Sequence, residues 1–204
     1  AGILGAMQRT FSRRVSTNVS RVSVMLDDLV QITELDAGQM NLHKTTVDVV
    51  NLIEEALTNA STQFREKGLA VNLNLDPDLP PIEADKDSLN QIFGQLLTNA
   101  YLVTPPNSEI SVVAQRRNIA LAATEPDNAV DCLFVSVEDR GGGVAPEDEP
   151  RVFARKYKAD NPLIQGIGDT GVGLAIARAL VEAQGGKLWL ESRENVGSTF
   201  KFAL

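Results

Sequence analysis

A single cysteine, Cys132, in 204 residues excludes an intrachain disulfide framework and a thiolate zinc cluster. The lone thiol suits a reducing, cytoplasmic setting. A single histidine, His43 in NLHKTT, cannot build a histidine metal cluster either, and reads as a solvated loop residue. Positive charge is also scarce: the formal net charge of -8 repels phosphate polymers and anionic bilayers, which argues against nucleic acid and against direct membrane contact. Any phosphate ligand must be held locally. No apolar run approaches the roughly 18 to 20 residues of a membrane span, and the opening AGILGAM lacks the basic start and long apolar middle of a cleavable leader. There is no internal repeat, no low-complexity tract, and no Walker lysine behind the glycine-rich turns. What the chain does have is 43% hydrophobic residues, enough for a real core.

From about Met7 to Ala37, Phe11, Val15, Val19, Val22, Leu26 and Leu29 recur at steps of four and three, drawing a narrow stripe along one long helix that Gly38 stops. Such a stripe has to be covered by other helices, as in a bundle or coiled coil. A second amphipathic helix is predicted from Val47 to Lys67, with Val50, Ile53, Leu57, Ala60 and Phe64 on one face and Gly68 as its break. Strict alternation in LAVNLNL gives a strand, and DSLNQIFGQLLTNAYLVTPP a helix that Pro105 ends. Strands near Glu109–Arg117 and Cys132–Glu138, joined by the polar ATEPDN, read as a hairpin. A helix over Val172–Gln184 and two closing strands complete the chain. Mostly antiparallel strands with helices sharing one face give an α+β, two-layer α/β sandwich preceded by a helical stalk, with residues 1–45 as the stalk and 46–204 as the second unit.

Four places can carry chemistry. Asn99 falls on the same helical face as Ile92 and Leu96, either as a satisfied core amide or as a ligand for a hard cation such as Mg²⁺. Asp139 keeps the parity of Leu133, Val135 and Val137 and so points to the buried face: it either opens a turn or accepts a hydrogen bond from an exocyclic amine such as that of adenine. Gly141, Gly142 and Gly143 let backbone approach a ligand there. In GDTGVGLAIARAL, Gly168, Gly171 and Gly173 stand at the mouth of a helix, where free N–H groups favour phosphate. The irregular stretch before them carries Arg151, Arg155, Lys156 and Lys158, either a solvated surface run or a lid that closes over phosphate.

In order and spacing, NQIFGQLLTNA, VEDRGGGV, RVFARKY, GDTGVGLAIA and NVGSTFKF resemble the N, G1, F, G2 and final glycine boxes of sensor histidine kinases, and VSRVSVMLDDLVQITELDAGQM resembles the second helix of their dimerisation and phosphotransfer hairpin. Any one box is unspecific, but five in order are strong. The resemblance implies a Bergerat-type ATP-binding fold, in which two glycine turns flank a lid and no Walker lysine is needed. It implies ATP and Mg²⁺ as cofactors. By position, Asn99 would bind Mg²⁺ and be the catalytic residue, Asp139 would receive the adenine amino group, and Gly141 and Gly143 would shape that wall. Gly168, Thr170, Gly171 and Gly173 would face the triphosphate, Leu174 would line the pocket, Thr199 would lie near the adenine, and Arg155, Lys156 and Lys158 would reach the phosphates from the lid. The implied reaction is transfer of the γ-phosphoryl group to a histidine nitrogen, with a response regulator and a homodimer through the stalk as partners in the full protein.

Three departures stand out. The acceptor box of the first hairpin helix is missing, which places the acceptor histidine upstream in a longer protein. Leu102 and Val103 occupy positions where the family commonly has a lysine and an aromatic, and loss of that charge should weaken ATP binding. Gln95 replaces the usual asparagine. Two other classes share some of these features: a degenerate regulatory or dimerisation module that binds nucleotide poorly, and other ATPases of the superfamily, whose hydrolytic members tend to carry a glutamate base where Gln95 stands.

Overall fold

A computed structural model describes residues 41–121, 129–155 and 171–204 continuously, and of the segment before them residues 5, 8, 11, 12, 15, 19, 22, 23, 26 and 30–33. The chain divides into two compact units, Ala1–Gln39 and Met40–Leu204. In the first, the described residues from Gln8 to Thr33 are helical, and Phe11, Val15, Val19, Val22, Leu26 and Val30 are all 45% exposed or more. Leu29, expected on this stripe, lies outside the described residues. Among the described residues no helix is long and apolar enough to cross a membrane.

The second unit opens earlier than position 46 because a short strand, β1 (Lys44–Val47), pairs antiparallel with β3 (Ile82–Asp85) in a two-stranded sheet of its own. Strands this short leave too little alternation to be recognised from sequence. Between them lie α1 (Val49–Lys67) and β2 (Ala70–Leu75). Asp48 caps α1, its carboxylate accepting the Asn51 N–H at 3.1 Å. Gly68 closes the helix in the left-handed conformation, φ 70°, as its position predicts.

Next come α2 (Lys86–Val103), β4 (Glu109–Ala120), β5 (Ala129–Asp139), α3 (Gly173–Ala183), β6 (Lys187–Arg193) and β7 (Gly197–Ala203). The main sheet runs β2-β4-β5-β7-β6. All its pairs are antiparallel except β2–β4, which is parallel, because the chain returns through β3 and α2 before entering β4. The β4–β5 hairpin extends three residues further on each side than the alternation suggested, with Ile119 paired to Val130.

One face of this sheet is the core. Ile110, Val112 and Ala114 of β4, Leu133, Val135 and Val137 of β5, and Phe200 and Phe202 of β7 are buried there. They meet the apolar face of α2: Phe93 packs edge-on against Phe202 with ring centroids 5.6 Å apart. The opposite face is screened by its own long side chains, with Trp189 6.0 Å from Phe134 and the Arg117 guanidinium 4.1 Å above the same ring. Two layers therefore enclose one core, and the site lies where its strand ends and helix ends meet.

Asp85 fixes the far ends of the helices that carry the site. Its Oδ1 caps α2 by accepting the Ser88 N–H at 2.7 Å, and its Oδ2 accepts the His43 backbone N–H at 2.7 Å. Its own N–H donates to Gln184, the residue that caps α3, at 2.8 Å. Burial pushes the Asp85 carboxyl upward, and the hydrogen bonds from Ser88 and His43 outweigh that and hold it below its usual range.

Candidate functional site

Asp139 ends β5 and is 1% exposed. Its Oδ1 accepts the Gly141 N–H at 2.8 Å and the Ser198 N–H at 3.3 Å. Its Oδ2 is buried and has no hydrogen-bond partner among the described residues. Burial pushes its pKa to about 6, against the lowering effect of those two backbone donors. The neighbouring cation offers little relief, because Arg140 pairs with Glu138 at 3.0 Å and with Glu109 at 3.3 Å. A buried carboxylate with one idle oxygen costs stability.

The glycine turn after Asp139 is shaped by what its α-carbons touch. A Cβ on Gly141 would lie 2.4 Å from Val103 Cγ2 and 2.9 Å from Asp139 Oδ1, so Val103, Gly141 and the carboxylate form one wall. Gly142 and Gly143 adopt φ 88° and 77°. A Cβ on Gly143 would fall 2.2 Å from the Arg193 carbonyl oxygen, a rigid backbone atom. Gly143→Ala should therefore lower unfolding stability by about 2 kcal/mol or more, since left-handed strain and a backbone collision add. A urea titration with an unshifted midpoint would contradict this packing.

On α2, Asn99 is half-buried, one position before the fully packed Ala100. Gln95, one turn earlier, reaches α3: its Oε1 lies 2.2 Å from where a Cβ of Gly173 would be. Gly173 thus serves close helix–helix approach at the very start of α3. Gly171 precedes it in the left-handed conformation, φ 69°, and Val172 at the N-cap makes no side-chain capping bond. Val172 thus leaves the first N–H groups of α3 without a cap from its own side chain, an arrangement that suits an anion. Leu174 is half-buried in the first turn. Gly168, Thr170, Lys156 and Lys158 lie outside the described residues. Arg155 is exposed just after Val152 and Phe153, which are anchored to the core: Phe153 meets Phe200 at 6.1 Å, with the Arg178 guanidinium 5.5 Å away.

Leu102 is buried, 8% exposed. A cation does reach this end of α2, from α1: Lys67 Nζ donates to the Tyr101 carbonyl and, at 3.3 Å, to that of Leu102, and lies 4.7 Å over the Tyr101 ring. Burial pulls its pKa below the ordinary lysine value.

The structure separates Thr199 from Asp139. Thr199 pairs with Glu138, and the residue opposite Asp139 is Ser198, 5% exposed. Successive strand residues face opposite sides, so Thr199 lies on the sheet face away from the carboxylate. The signal was present in the sequence, since Phe200 and Phe202 share the parity of Ser198, not of Thr199. Two other groups carried no such signal. Thr104 ends α2 with a fully enclosed Oγ1 that has no partner among the described residues, and the Oγ of half-buried Ser192 lies 3.0 Å from Ser198 Oγ.

The Asp139 turn meets α2 at Val103 and the start of α3 meets it at Gln95, so both flank the helix that carries Asn99. Residues 84–204 match the family described as histidine kinase-, DNA gyrase B- and HSP90-like ATPase, and the chain belongs to it. It is similar to the sensor histidine kinase WalK of Bacillus subtilis (strain 168), 27% identical over 185 residues that make up 90% of this chain and 28% of WalK. Full-length ShkA in complex with AMPPNP superimposes with TM-score 0.77 at 25% identity, covering 99% of this chain and 39% of that one. The histidine kinase ThkA in complex with the response regulator protein TrrA shares the fold, with TM-score 0.71 at 20% identity, covering all of this chain and 52% of that one. The domain is thus a catalytic ATP-binding domain of the histidine-kinase type. The chain spans less than half the length of the curated relatives it matches.

Proposed function

We propose that the chain binds Mg-ATP between α2, the Asp139 turn and the start of α3, and that it serves as the catalytic module of a sensor histidine kinase. The observation that carries this reading is the buried, unpartnered Oδ2 of Asp139. A purine amino group is a donor of matching size and polarity, and its arrival would satisfy the one strong acceptor left idle in that wall.

The residues present fit a magnesium ion. Among the described residues no group of three or more histidine, cysteine or carboxylate side chains could cage a metal. Magnesium, however, is normally held by one or two protein oxygens together with phosphates and water. Asn99 would supply the amide oxygen, and the ion would neutralise charge between the phosphates. The protein's own contributions are orientation and electrostatics: Asp139 fixes the base, the α3 N-terminus faces negative charge, and the side chains of Arg155, Lys156 and Lys158 are the lid cations proposed to offset the leucine at position 102.

The acceptor is a histidine outside this chain's boxes, on the helix that would pair with the stalk. The exposed stripe from Phe11 to Val30 supports a homodimer through that stalk in the full protein, because six apolar side chains on one face call for a covering surface. The ThkA–TrrA complex supports a response regulator as the onward partner. The test is to mix this chain with a separately expressed sensor-kinase hairpin carrying the acceptor histidine, add labelled Mg-ATP, and look for acid-labile, base-stable phosphohistidine. Transfer that requires both proteins is the expected result. Absence of nucleotide binding at millimolar Mg-ATP would favour a regulatory module instead.

A further inference from the structure

Three strands place Asp139, Ser198 and Ser192 in one row. Asp139 pairs with Ser198 across β5 and β7, and Ser198 pairs with Ser192 across β7 and β6. Direct cross-strand neighbours point to the same face with Cβ atoms about 4.5–5.5 Å apart. The row is hydrogen-bonded along its length. The Ser198 N–H donates to Asp139 Oδ1 at 3.3 Å, and the Ser198 and Ser192 hydroxyls are 3.0 Å apart.

Ser192 then turns the row into a ring. Its hydroxyl accepts the Val144 N–H at 2.8 Å, and Val144 is the last residue of the glycine turn that began at Asp139. The same hydroxyl lies 3.3 Å from the Gly197 carbonyl oxygen, to which it can donate. Two backbone contacts dock the turn on the same hairpin: the Asn195 N–H donates to the Gly142 carbonyl at 2.5 Å, and the Gly143 α-carbon sits against the Arg193 carbonyl. The Val144 contact, by contrast, runs through the Ser192 side chain, which can be edited without moving backbone.

We propose that Ser192 is a positioning residue for the nucleotide: it holds the Asp139–Val144 turn on the β6–β7 hairpin and keeps Ser198 occupied, so that the second oxygen of Asp139 stays available to the base. The inference rests on the reading of Asp139 as the acceptor of the purine amine. A serine hydroxyl has one proton and two lone pairs. With Ser192 present, Val144 takes one lone pair, and the Ser198 hydroxyl has a partner 3.0 Å away. With it gone, the Val144 N–H loses its acceptor, and the Ser198 O–H can swing to the nearest strong acceptor on its face, the Asp139 carboxylate. That new bond would compete with the purine amine and would also favour the ionised carboxylate.

The test measures Mg-ATP affinity of the intact chain from pH 5 to pH 8 for the wild type and for Ser192→Ala, Ser192→Cys, Ser192→Thr and Asp139→Asn, with thermal melts alongside. Ser192→Cys keeps the shape with a much weaker acceptor, so it answers the question if the alanine variant folds poorly. The expected result is affinity about 5- to 20-fold lower in the alanine and cysteine variants, a binding midpoint shifted to lower pH, near-native behaviour for threonine, and melting temperatures close to wild type. Wild-type affinity in both the alanine and cysteine variants overturns the proposal. So does weakened affinity with an unmoved pH midpoint, which would make Ser192 merely structural. If Asp139→Asn itself binds like the wild type, the assignment of Asp139 has failed, and that outcome is distinguishable from a failure at Ser192 alone.

Discussion

Asp139→Asn is expected to make the protein more stable and a poorer binder of ATP at the same time. The substitution keeps the side-chain shape and leaves one oxygen for the Gly141 and Ser198 N–H groups, which Oδ1 now accepts at 2.8 and 3.3 Å. The atom in the place of Oδ2 becomes an amide NH₂, a donor set against the donor of the proposed purine amine. Two donors facing each other in a buried wall should lower affinity by about 1–3 kcal/mol, or roughly 5- to 150-fold. The folded chain meanwhile no longer has to carry a buried charge. With the carboxyl pushed to about 6 from its ordinary 3.8, ionisation at neutral pH opposes folding by about 1–3 kcal/mol, and the asparagine variant escapes that term. Calorimetric titration and a thermal melt on the same samples check both halves. A variant that loses stability and keeps its affinity would show that Asp139 serves the turn and not the base.

Acidification should act on the wild type in two opposite directions. Because the folded-state pKa of Asp139 is raised, the native chain binds more protons than the unfolded one between about pH 4 and pH 6, and this group's effect is that stability falls as pH rises through that window and levels off above it. On the proposed reading of Asp139 as the acceptor of the purine amine, binding uses the carboxylate form, so affinity should rise over the same range and level off above about pH 6, with a limiting slope of about tenfold per pH unit below the pKa. The phosphates of ATP also titrate nearby. The ratio of wild-type to Asp139→Asn affinity cancels their share and should itself bend near pH 6. A flat ratio from pH 5 to pH 8 would mean that the carboxylate does not face the ligand.

Much of this architecture is local and therefore legible along the chain. The period of the apolar residues marks α2, and Asp85 before it and Pro105 after it set its ends. Gly68 closes α1 because only a left-handed residue completes that turn without strain. The buried aim of Asp139 followed from its parity with Val135 and Val137. Thr199 shows the limit of reading by box order alone, since alternation with Phe200 and Phe202 turns it to the face away from the carboxylate, while the register that seats Ser198 beside Asp139 is tertiary.

Sequence by itself determined the helices and the longer strands, which of their faces are apolar, and which glycines and polar residues stand at their ends, because period, caps and φ preferences involve residues a few positions apart. Tertiary structure alone decided the parallel seat of β2 beside β4, the small β1–β3 sheet, and the row that joins Asp139 to Ser198 and Ser192. Those partners lie far apart along the chain, 59 positions in the case of Asp139 and Ser198. The raised pKa belongs with them. Desolvation is set by everything that closes around a group, and no stretch of neighbouring residues encodes it.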